Sequence, residues 1–111
     1  MKEFTAILDE TNLLIHTIKD TSIYKEYRSS LEELQKHPEW KALADDFREQ
    51  NYLAYHSLKE HISFADFGSL EEKRMELETY PLIDRYLKAE VALCRMLQEV
   101  QSRIVAAMDF D

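Results

Sequence analysis

Glycine, proline and cysteine are scarce in this 111-residue chain, which holds one Gly, two Pro and one Cys. Average proteins carry about 7% Gly and about 5% Pro. Few tight turns can be built here, so the regular elements must be few and long. A single glycine excludes a P-loop or a glycine-rich dinucleotide loop, each of which needs several. The lone Cys94 excludes an intramolecular disulfide. No apolar run approaches the ~18 residues of a membrane span. The beginning, MKEFTAILDE, lacks the basic start and apolar stretch of a secretory signal. A cytoplasmic protein without membrane insertion is expected. Basic residues are the minority, 14 against 22 acidic, for a net charge of −8. The densest basic groups, Lys73-Arg74 and Lys19/Lys25/Arg28, are interleaved with acids, whereas a phosphate backbone asks for a clustered basic face. Direct nucleic-acid binding is not expected.

What the chain has is helical periodicity. From Pro81 to Met108 the apolar residues Ile83, Tyr86, Leu87, Leu93, Cys94, Leu97, Val100, Ile104 and Met108 recur at steps of three or four. A helix of that length is a rod of roughly 40 Å. One globule of this mass is about 30 Å across, so the rod must project or be covered by a second copy. Earlier segments read the same way. Glu3–Asp20 aligns Phe4, Ile7, Leu8, Thr11, Leu14, Ile15 and Ile18 on one face, and Thr21 or Ser22 supplies the next N-cap. Ile23–Lys36 aligns Ile23, Tyr27, Leu31 and Leu34, and ends before Pro38. Pro38–His61 aligns Trp40, Leu43, Ala44, Phe47, Ala54, Leu58 and Ile62. His61–Ser69 holds the only glycine and reads as a loop. Ser69-Leu-Glu-Glu72 reads as a capping box that opens a short helix over Leu70–Glu78. No strand pattern appears. The expectation is one all-α domain over residues 1–111, with four to five helices. The two long ones would form an antiparallel hairpin within an oligomeric bundle.

No catalytic, cofactor or metal constellation emerges. His56, Glu60 and His61 lie close in sequence, but no Glu-x-x-His, His-Glu-x-x-His or cysteine pair accompanies them. His16-Thr-Ile-Lys19 has the His-to-Lys spacing of a histidine phosphotransfer site, and a phosphotransfer module using His16 is the alternative reading. Asp20, a carboxylate, stands there where such sites carry Gly. Cys94, in the apolar stripe, reads as an inert buried thiol. Glu90 interrupts that stripe and requires solvent or a basic partner such as Arg28 or Arg48. Tyr86, Glu90, Leu93, Leu97, Val100 and Ile104 are therefore the expected oligomer or partner interface. Phe64, Phe67 and Phe110 fit no stripe and are candidate partner anchors.

Three stretches carry a family pattern. They are Asp20-Thr-Ser-Ile-Tyr24-Lys-Glu-Tyr27, then Pro38-x-Trp40-x-x-Leu43-x-x-x-Phe47, then Pro81-Leu-Ile-Asp-Arg-Tyr86-Leu-Lys-Ala89-Glu90-x-x-Leu93 followed by Leu97-x-x-Val100-x-x-x-Ile104. In order and spacing this chain resembles the YlbF/YmcA family of small bacterial regulators over nearly its whole length. The resemblance implies an all-helical, self-associating cytoplasmic protein without catalysis, a homodimer or higher oligomer. It also implies partners among other family members or in a regulatory protein complex that affects development, biofilm formation or RNA processing. Some relatives are associated with iron–sulfur clusters. Those take several thiolates, and Cys94 alone cannot supply them.

Overall fold

The structure is a computed structural model that describes residues 1–56 and 64–110, with side chains for 1–54 and 68–110. Five helices follow in order: α1 (Lys2–Lys19), α2 (Ser22–Gln35), α3 (Pro38–His56), α4 (Phe64–Leu77) and α5 (Pro81–Ala107). Among the described residues there is no strand. The fold is all-α, as the periodicity predicts.

Local chemistry sets the junctions. Thr21 closes one helix and opens the next: its Oγ1 donates to the Ile18 carbonyl (2.6 Å) and accepts from the Tyr24 N–H (3.1 Å). It is thus Thr21 and not Ser22 that caps α2. Between α2 and α3 the Lys36 and His37 N–H groups donate back to Glu33 and Leu34. The His37 carbonyl then accepts from Trp40 and Lys41, each at 3.0 Å. Pro38 occupies the first helical position, where its missing N–H leaves no bond unmade. Pro81 repeats the arrangement, with the Tyr80 carbonyl accepting from the Asp84 N–H at 2.9 Å. Asp109, at φ 53°, turns into the left-handed region just beyond α5 and ends it.

Two expectations are corrected. The fourth helix starts at Phe64 instead of Leu70, so Gly68 and Ser69 lie inside it and the Ser69 capping box is not used. Glycine within a helix costs only about 1 kcal/mol relative to alanine, too little to break one that other residues favour. The remaining expected loop positions, and Leu58 and Ile62 of the third stripe, fall outside the described residues. The second correction concerns pairing. Among the described residues α3 packs most closely on α4, not on α5 as the expected hairpin would have it. Lys73 of α4 reaches Asp46 (2.8 Å) and Gln50 (3.4 Å) of α3 across that seam. These groups are exposed, so the link contributes at most about 1 kcal/mol.

The chain divides into two compact units, one formed by Met1–Ser29 with Ala89–Asp111 and the other by Ser30–Lys88. The core lies in the second unit. It is built from Leu31 and Leu34 of α2, Ala44, Phe47 and Ala54 of α3, Leu77 of α4, and Ile83 and Tyr86 of α5, with Ser30 also buried. Among the described residues of the first unit only Ala89 is buried, and α1 buries no residue at all. The apolar face expected on the first helix exists but stays largely exposed. Periodicity identifies a face that favours burial; it does not say which chain covers it.

Two substitutions test this description. A Cβ added at Gly68 would meet nothing within 4 Å. Gly68→Ala should therefore raise stability by about 0.5–1 kcal/mol, seen as a higher urea midpoint at constant slope. Ile83 is fully buried, and Ile83→Ala should lower stability by about 2–5 kcal/mol in the same assay.

Candidate interaction surface

Tyr86 stands on the second turn of α5 and is fully buried in the second unit. Lys41 and Arg48 of α3, two turns apart, both reach its ring, with Nζ and Cζ each 5.9 Å from the centroid. Asp45 lies between them, 2.5 Å from Lys41 and 3.7 Å from Arg48, and fixes both cations over the ring. Tyr86 therefore belongs to the core and not to the exposed contact surface expected of it. On the same α5 turns Lys88 hydrogen-bonds Asp84 at 2.9 Å. That bond, reinforced by the carboxylate charge, raises the Lys88 ammonium above the usual lysine range. At the junction ends, His37 stacks on Trp40 (4.2 Å between rings), and Trp40 meets Tyr80 at 6.0 Å. These contacts join the starts of α3 and α5. They were not expected from periodicity, because His37 and Tyr80 precede the helices they flank.

The distal part of α5 has two apolar sides. Leu93, Met96 and Val100 are half-buried, whereas Val91, Leu97, Ile104, Val105 and Met108 are exposed. Of the expected interface residues, Leu97 and Ile104 thus lie open, Leu93 and Val100 are partly covered, and Tyr86 is enclosed. Glu90 is half-buried and engaged within the chain, and its Oε2 is buried without a hydrogen bond. A signal missed in the sequence is the strict seven-residue repeat of α5. Ile83, Glu90, Leu97 and Ile104 form one row; Tyr86, Leu93, Val100 and Ala107 form the other. That spacing is the one used when helices pack side by side over several turns.

Cys94 is exposed, which corrects the expectation of a buried thiol. It sits about 100° around the helix from Leu93, at the edge of the stripe and not beneath it. His16 is exposed in the last turn of α1, and its carbonyl accepts the Asp20 N–H at 3.1 Å. The helix end there is the negative pole, and Asp20 adds a carboxylate, so the surroundings do not favour a phosphoryl group. Phe110 is exposed beyond α5. Phe64 and Phe67 lie in the first turns of α4, and their side chains are outside the described residues, as are those of His56, Glu60 and His61. Among the described residues no three His, Cys, Asp or Glu side chains converge as metal ligands. No described helix is long and apolar enough to cross a membrane.

Residues 7–109 match the family described as "Control of competence regulator ComK, YlbF/YmcA". The chain belongs to this family. It is also similar to a "UPF0342 protein" of Caldicellulosiruptor bescii, 24% identical over 99 residues that span 87% of this chain and 83% of the relative. A "UPF0342 protein" of Caldicellulosiruptor saccharolyticus is 24% identical over 98 residues, 86% and 82% of the two chains. No solved structure matches. In this YlbF/YmcA-family chain the exposed Cys94 makes a direct check of the α5 geometry. A disulfide reagent should titrate one thiol in the native protein, without denaturant. A thiol that reacts only after unfolding would put Cys94 back under the stripe.

Proposed function

We propose that this YlbF/YmcA-family protein is a regulatory adaptor without catalysis, working in the cytoplasm through self-association and contacts with other proteins. The observation that supports this reading is the uncovered apolar surface of the first unit. Leu97, Ile104, Val105 and Met108 on α5 are exposed together with the apolar face of α1. Soluble monomers rarely keep more than a few hundred Å² of contiguous apolar surface open, and larger patches mark contact sites. The family description names control of a competence regulator. A role in development, biofilm formation or RNA processing, exerted within a complex of regulatory proteins, agrees with that description. The net charge of −8 speaks for protein partners over direct RNA contact.

Sedimentation equilibrium at micromolar concentration tests the reading. A dimer or larger species is expected. Leu97→Asp should reduce it to a 13.2 kDa monomer that retains its helical circular dichroism. A wild-type protein that sediments only as a monomer would overturn self-association.

A further inference from the structure

We draw no further inference here: the strongest candidate, the exposed apolar face of α1 formed by Phe4, Ile7, Leu8, Leu14 and Ile15, carries nothing beyond the self-association already proposed, because nothing in the structure shows what covers it.

Discussion

The burial of Ile83 and Tyr86 is the constraint on which the second unit depends. Both lie on the first two turns of α5, directly after Pro81 fixes where that helix begins. A proline at this position sets the backbone without leaving a donor unsatisfied. The start of the longest helix is thereby pinned to the core, and Trp40 and Tyr80 hold it beside the start of α3. The cations over the Tyr86 ring follow from the same placement. Lys41 and Arg48 bring their charged ends over the ring, and Asp45 pairs with both. Removing the aromatic ring would lose apolar area and expose two positive groups with one carboxylate between them.

Scarcity of glycine and proline made the helices legible. Pro38 and Pro81 mark two helix starts, and the threonine at position 21 marks a third. The one misplaced boundary came from trusting Gly68 as a breaker, when an exposed helical glycine with open space around it is merely a weak former. Pairing was not legible. Periodicity gives each helix a face, yet α3 carries apolar residues that suit α4 and α5 alike, and only the structure ranks them. The surface residues divided similarly. Leu97 and Ile104 were readable as exposed contacts. Tyr86 belongs to the same stripe but meets the core, because a stripe on a long helix continues past the end of the body that covers it. Cys94 went astray for the converse reason, being on the rim of a stripe that covers less than half the helix circumference.

The contrast between the units has a physical consequence for the first helix. Helices gain most of their stability from covering an apolar side, and α1 buries no residue within one chain. Its backbone bonds therefore rest more on local propensity than those of the helices around Ile83 and Tyr86. Anything that binds only the ordered form raises the ordered fraction by mass action. Whatever covers that side would thereby also set how much of the first eighteen helical residues is ordered.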